Sequence, residues 1–571
     1  MQDFTKSQKG RLAIKAFRTI ADAAALRGSY KPSTSLSGQK MEEALKEISP
    51  EIYGSLNDPR SIEINGLKYI LDRLPRGIET CTRITLTAKD EFNQTTFEKI
   101  EPPKRRRTSY RIDKDEICFI ITRGWSEMYD ILTHLTFLNI EAKKIHSRIK
   151  PQNKEISIEW ERLEETIKTH NDIKGKNLDR ALWNLSILLG TPYHETRKAY
   201  DDLEEMKQKY KSNAGLFKVI YKLGKRVEKE LSSKKNEMVV YFTPSFQNMI
   251  GHHRYSRNWA QVIKEKLREK EITNRPLHII SANMHSVVNL LYGYSALQSS
   301  IKKSKKEGIY DFILSVKDKT DEIKKYALKY GLTEIPDRSE SHIDCQIIDT
   351  SKMKNLSFHP DIHIDTSVFK NKMPIILVID YAFGFQAFDA MDELLNPDLE
   401  DAPTQMQNVE SISIMGKAGT LPGEKGDIML ATAHVLEGQT HNYIVHNDLK
   451  PEDFNTLSHG LNIYSGPMVT VLGTSLQNHA VLKRFKNSSW NAVGLEMEGG
   501  HYQRAINAAI IRGHISKSVK IRYAYYASDN PLTSGETLAS GSMGDEGILP
   551  TYMITKVIIE KTLCYSSPHM T

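Results

Sequence analysis

Along the first 235 residues, apolar side chains recur mostly at helical spacing. They do so through Leu12–Leu26, Met128–Ile145 and Leu178–Leu189, and again through Tyr200–Leu231, which predicts helices there. The exception runs from Tyr110 to Ile121, where alternation predicts a strand or hairpin. Ser232-Ser233-Lys234-Lys235-Asn236 is polar and has no period, so a domain boundary is expected there, with a mostly α-helical domain over 1–235. Beyond Asn236 the pattern changes to short apolar, β-branched runs, each followed by Gly, Ser or Asn and then a helical stretch. These runs are Met238–Phe242, Leu277–Ser281, Pro374–Asp380, Ser411–Met415, Ile428–Thr432, Met468–Leu472 and Ile521–Ala527. Strands that are apolar on both faces and alternate with helices predict an α/β domain over 236–571, with its sheet covered on both sides. Ligands of such sheets bind beyond the carboxyl ends of strands.

At 571 residues, 39% hydrophobic and 26% charged, the chain is long enough for two or three cores and for an enclosed site. A net charge of +8 is too modest for a nucleic-acid footprint and slightly favours small anions. The four cysteines (Cys81, Cys118, Cys345, Cys564) have neither disulfide nor zinc spacing. With no apolar run of signal-peptide or membrane-span length, the expectation is a soluble cytoplasmic protein without membrane contact.

Three segments carry candidate chemistry. In Ile412-Ser-Ile-Met-Gly416-Lys417-Ala418-Gly419-Thr420, followed by Gly426-Asp427-Ile428, a buried strand is expected to end in a turn with two glycines. In Val493-Gly-Leu-Glu496-Met497-Glu498-Gly499-Gly500, two carboxylates flank a methionine at the start of a helix; acids of the first turn also stabilise a helix electrostatically. In Tyr525-Tyr526-Ala527-Ser528-Asp529-Asn530-Pro531, a strand ends in Ser-Asp before a loop, where an Asp can equally cap a turn.

In this order and spacing the segments resemble the nucleoside phosphorylase and nucleosidase superfamily, and within it AMP nucleosidase most. The stretch Asp427 to His434 (DIMLATAH) and Ser528-Asp529-Asn530-Pro531-Leu532 follow that pattern. Gly384-Phe-Gln-Ala-Phe-Asp-Ala-Met-Asp-Glu-Leu-Leu395 is similar to the family's Gly-rich helix start, and Leu472-Gly-Thr-Ser-Leu476-Gln477 to its purine-reading loop. The likeness is good over 375–565, loose over 236–374 and absent over 1–235.

The resemblance implies a three-layer α/β domain that cleaves the bond between purine and ribose, in a nucleoside or in a nucleotide such as AMP or ATP, without cofactor or metal. Asp529 would protonate the leaving base and Glu498 would hold ribose hydroxyls, with Met497 beneath the sugar. Glu496 would orient the nucleophile or support Glu498, and Leu476 and Gln477 would face the base. Gly416, Lys417, Gly419, Ser528 and Asn530 would line the pocket, and His285, Arg254 and Arg257 are candidates for a phosphate. Phosphorylases of the superfamily carry an Arg where this chain has Ile414, which favours water as the nucleophile over phosphate. The acid that nucleosidases place near the start of the domain has no counterpart around Val239–Ile250. A phosphate-dependent phosphorylase and a non-catalytic nucleotide sensor are the alternatives, and a homo-oligomer is implied.

Other signals point elsewhere. His446-Asn447-Asp448-Leu449-Lys450-Pro451-Glu452-Asp453 looks like a kinase catalytic loop, but the other kinase motifs are missing. His359-Pro-Asp361-Ile-His363-Ile-Asp365 would put four polar residues on one face of a strand, compatible with metal but equally with solvent. The basic run Pro102-Pro-Lys104-Arg105-Arg106-Arg107-Thr108-Ser-Tyr110-Arg111 reads as a solvated loop, with phosphate recognition or a subunit contact as the alternatives.

Overall fold

The computed structural model describes residues 4–88, 91–105, 107–151, 155–169, 174–298, 308–397, 408–439, 441–454, 460–533 and 543–564. The chain forms two compact units. The first comprises 1–252 with 475–481, the second 253–474 with 482–571.

In the first unit six strands lie in the order β1-β6-β2-β5-β4-β3: β1 Ser29–Tyr30, β2 Arg83–Thr87, β3 Glu98–Lys99, β4 Thr108–Asp113, β5 Glu116–Ile120 and β6 Val239–Phe242. The central three, β6, β2 and β5, are parallel, and the expected hairpin of Tyr110 to Ile121 is β4–β5. The helices Lys6–Arg27, Gly124–Ser147 and Lys176–Leu189 fall where the helical periodicity lies. The single long pattern over Tyr200–Leu231 divides into Tyr193–Tyr210 and Leu216–Ser232, because Lys211 and Gly215 turn the backbone to positive φ between them. Helices make up most of this unit's regular structure, and its six strands are only two to six residues long. The run Met238–Phe242 forms β6 of this sheet, so the compact unit extends past Asn236 to His252.

The second unit holds ten strands: β7 Leu277–Ser281, β8 Leu332–Ile335, β9 Cys345–Asp349, β10 Ile375–Ile379, β11 Val409–Thr420, β12 Ile428–Leu436, β13 Asn442–Ile444, β14 Ile463–Thr470, β15 Gly494–Glu496 and β16 Lys520–Asp529. The sheet runs β13-β12-β14-β15-β11-β7-β10-β9-β8, and β16 pairs with both β11 and β12. That double pairing closes a ring, β11-β15-β14-β12-β16, at one end of an otherwise open sheet. Successive residues of β10 belong to different cores. Leu377 packs with Trp259, Ile263, Met391 and Ile506 on one face, and Val378 with Val288, Leu291, Met553 and Ile558 on the other. A sheet buried on both faces explains why its strands read as unbroken apolar runs, as the three-layer expectation requires.

One buried amide fastens the ring. Asn447 donates to Ala431 O (3.0 Å) and Tyr523 O (2.8 Å), and its own oxygen accepts from Tyr523 N (3.2 Å) and Leu449 N (3.1 Å). Its neighbour Asp448 pairs with buried Arg522 at 2.8 Å. The kinase-like stretch is therefore a structural clasp between β12 and β16. Residues 359–365 form no strand, so their polar side chains share no strand face, and no metal-binding cluster occurs among the described residues. No described helix is long and apolar enough to cross a membrane.

Replacing Asn447 by Ala strands buried backbone groups on two strands and a loop, so Asn447→Ala is expected to destabilise the second unit by about 3 kcal/mol. Urea unfolding of the full chain, followed at the second unit, measures this; an unchanged midpoint would remove the clasp.

Candidate functional site

The three motif segments meet at Gly419. This residue pairs with Leu495 of β15 on one side and Asp529 of β16 on the other, so the Glu-Met-Glu and Ser-Asp segments flank it one strand away each, about 5 Å per step. The glycine pair does not form the expected turn. Gly416 and Gly419 lie within β11, and the irregularity is a register shift between Ala418 and Gly419 opposite β16. A glycine inside a strand marks close approach rather than reversal. At Gly494, on β15, an added Cβ would come within 2.7 Å of Gly419 O and 2.5 Å of Met429 Sδ, so only glycine lets β15 dock there.

Asp529 ends β16 at 1% exposure. Its Oδ1 accepts a short hydrogen bond from Ser528 Oγ, which also reaches Ala418 O at 3.2 Å. Asn530 is taken up by the following loop, donating to Gly423 O at 2.9 Å and accepting from Leu532 N at 3.0 Å.

The two glutamates have different surroundings. Glu496 is 2% exposed; its Oε1 accepts from Thr470 Oγ1 (2.5 Å) and lies 3.3 Å from His434 Nδ1. Its Oε2 accepts the backbone amides of Glu498 (2.5 Å) and Gly499. Burial pushes the Glu496 carboxyl up, but the His434 ring, the Thr470 hydroxyl and the Gly499 amide outweigh it, so the group sits below its ordinary value and stays ionised. It caps the helix Gly499–Arg512 and fixes the residue before that helix. That residue is half-buried Glu498, whose Oε1 accepts from Gly384 N (2.8 Å) in the loop after β10. Through the Glu498 amide, Glu496 fixes the backbone of that residue. Met497 between them is buried at 6% exposure.

Sequence reasoning passed over three groups here. His434, on β12, is fully buried between Glu496 and the Tyr523 ring, 4.7 Å away. The Tyr525 hydroxyl is buried without a hydrogen-bond partner. Burial and the nearby Glu496 and Glu498 charges all hold its pKa well above the ordinary value, so it stays protonated. It crowds Gly499 so closely that a Cβ there would sit 2.2 Å from the hydroxyl and 2.3 Å from His434 Cε1. His253 lies 2.5 Å from Asp389, and that contact raises its pKa. His434 and Tyr525 lie inside strands that read as buried apolar runs, so only the fold shows their place beside Glu496.

The remaining candidates are placed as follows. Lys417 is exposed on β11, and His285 is exposed in the first turn of the helix Met284–Leu297 after β7. Arg254 and Arg257 are exposed on the helix Arg254–Glu269, where Arg257 pairs with Glu393 at 3.5 Å. Leu476 and Gln477 are buried in the first unit, so they do not belong to the unit that holds Glu498 and Asp529. Loop residues 475–481 read locally as part of the second domain because a chain excursion leaves no mark in sequence.

Because Glu496 titrates lower in the folded chain than unfolded, its contribution to stability is full above its ordinary value of 4.5 and is lost as pH falls through the lowered one. Glu496→Gln is expected to cost roughly 2 kcal/mol at pH 7, with the gap to wild type closing below about pH 4. Denaturation midpoints at a series of pH values check both size and direction.

With this geometry in place, the chain compares with known proteins as follows. Among solved structures it is similar to a mutant futalosine hydrolase of Helicobacter pylori (12% identity, 50% of this chain and 99% of that one, TM-score 0.29). It is likewise similar to the 5'-methylthioadenosine/S-adenosyl homocysteine nucleosidase of Helicobacter pylori (14% identity, 51% and 97%, TM-score 0.27). Isoform 2 of uridine phosphorylase from Schistosoma mansoni matches at 11% identity, over 52% and 88%, with a TM-score of 0.31. At such scores these likenesses leave substrate and reaction to the residues of the site. No curated protein matches. The model of a family of unknown function, DUF6909, matches residues 39–323 and 309–564, and the chain belongs to that family.

Proposed function

We propose that the second unit is an N-glycosidase that hydrolyses the bond between base and ribose in a purine nucleoside or nucleotide, with AMP or ATP as the substrates to try first. The observation that carries this reading is the pairing of Gly419 with both Leu495 and Asp529, which sets the acid at the end of β16 and Glu498 just past the end of β15, on either side of β11. Breaking the bond leaves positive charge on the sugar and negative charge on the base. A protonated Asp529 delivers its proton to the imidazole ring of the departing purine. Glu498, held by Gly384 N on one oxygen and by Glu496 at its backbone, takes ribose hydroxyls and faces the oxocarbenium-like sugar with negative charge. Met497 supplies an apolar floor.

Ile414, buried at 3% exposure, stands where phosphorylases of the superfamily carry Arg, which supports water as the nucleophile. The first strand of this sheet is β7, and residues 282–291 after it contain neither Asp nor Glu. That feature favours a second reading, a nucleotide-binding module that does not turn over.

The two readings separate when the full chain is incubated with AMP, ATP, adenosine and their guanine counterparts, with and without inorganic phosphate, and free base is measured. Phosphate-independent release of base supports the hydrolase. Release only with phosphate replaces it by a phosphorylase, and tight binding without release replaces it by the module. Under the hydrolase reading, Asp529→Asn is expected to lower kcat about 10³-fold with little change in KM. Glu498→Gln should lower kcat about 10²-fold and raise KM, since it removes a contact that both binds and stabilises. Equal rates for wild type and Asp529→Asn would end the assignment of the acid.

A further inference from the structure

Both glycines of Glu496-Met-Glu498-Gly499-Gly500 face a side chain that presses in from a neighbouring strand. A Cβ at Gly500 would lie 2.5 Å from Thr470 Oγ1, at the end of β14, and one at Gly499 would lie 2.8 Å from His434 Nδ1, on β12. Thr470 and His434 are also the two side chains that meet Glu496 Oε1, at 2.5 and 3.3 Å. The glycines thus let the start of the helix Gly499–Arg512 close over a carboxylate that a hydroxyl and an imidazole reach from β14 and β12.

The imidazole is the group on which that carboxylate depends most. His434 is fully buried, with the Tyr523 ring edge-on at 4.7 Å and the Tyr525 ring at 6.2 Å, and its described ion pair is with Glu496. Burial drives the Glu496 carboxyl toward its protonated form; among the groups that oppose burial, His434 comes first, ahead of Thr470 and the Gly499 amide. An ionised carboxylate accepts on both oxygens, whereas protonation turns one of them into a donor. Glu496 uses that capacity in full, because its Oε2 accepts the amides of both Glu498 and Gly499. The first of these amides belongs to the residue whose own carboxylate reaches Gly384 N at 2.8 Å.

We propose that His434 is a positioning residue for Glu498. Fully buried, it acts through Glu496 rather than on a substrate: the pair keeps both amides at the head of the helix engaged, and so keeps the Glu498 carboxylate on Gly384. That Glu498 then meets ribose hydroxyls rests on the glycosidase reading; the chain of contacts from His434 to Gly384 does not.

Hydrogen exchange of the full chain, read by mass spectrometry on peptides covering 380–388, follows the Gly384 amide. His434→Leu should speed exchange there about tenfold, the worth of one hydrogen bond to a charged group. His434→Asn keeps a donor near the place of Nδ1 and should restore most of the protection. Glu496→Gln, which leaves His434 in place, should reproduce the loss, and it decides the matter if His434→Leu does not fold. Peptides covering β7 should exchange as in wild type, since plain packing would loosen the whole unit. Base release, assayed as above, should fall about tenfold in kcat/KM in His434→Leu and recover in His434→Asn. Unchanged exchange at 380–388 in both His434→Leu and Glu496→Gln, equal loss in His434→Leu and His434→Asn, or an equal rise at β7 would overturn the inference. Equal base release by wild type and His434→Leu would overturn it too, with the glycosidase reading left standing. No base release by wild type, with exchange shifted as expected, would remove that reading and leave the positioning role.

Discussion

The approach of β11 to β15 at Gly419 and Gly494 is the contact on which the second unit depends. Backbone meets backbone there with no room for a side chain, and this lets β15 pair antiparallel to β11 while staying parallel to β14. β16, parallel to β11 and antiparallel to β12, then closes the ring. Every group of the candidate chemistry is positioned from that ring. Asp529 ends β16, Glu496 ends β15, Glu498 follows two residues on, and His434 rises from β12 against Glu496. An open sheet would have left these groups on separate edges. Asn447 and Arg522 reinforce the closure from the far side of β16 with fully engaged polar groups, so the ring is held by hydrogen bonds as much as by its apolar cores.

Much of this architecture is legible in the chain because burial on both faces writes itself into composition. Leu277–Ser281, Ile375–Ile379 and Ile521–Ala527 have hardly a polar residue to spare, and each became a strand. What such runs do not reveal is which sheet they join. Met238–Phe242 looks the same as Leu277–Ser281 yet pairs with β2, because strand pairing is decided by residues 150 positions away rather than by neighbours. The same locality explains the misread glycines. Gly416 and Gly419 suggest a turn when only their own segment is weighed; at 419 an added Cβ would press on the Leu495 and Pro531 side chains, a crowding invisible from β11 alone.

The candidate site shows the limit more sharply. Sequence spacing singled out Glu496, Glu498 and Asp529 together but could not divide their labour, since Glu-Met-Glu is symmetrical on paper. In space the symmetry breaks. One glutamate accepts from a hydroxyl and two amides, faces the His434 ring and stays charged, while the other is half-buried and held by Gly384 N. Leu476 and Gln477 show another limit: a segment whose neighbours on both sides lie in the second unit packs with the first, with Asn478 donating to Ile48 O at 2.7 Å.

Buried charge is handled in two ways within this chain. Around Glu496 one carboxylate accepts from a hydroxyl and two amides and faces an imidazole, which keeps it ionised although it is buried. Around Arg107, among the described residues, two carboxylates meet three guanidiniums, while Arg73 lies over the Tyr69 ring and donates to Tyr69 O. Both networks lie largely closed to water, where a hydrogen bond to a charged group is strong, so each stiffens the unit that holds it.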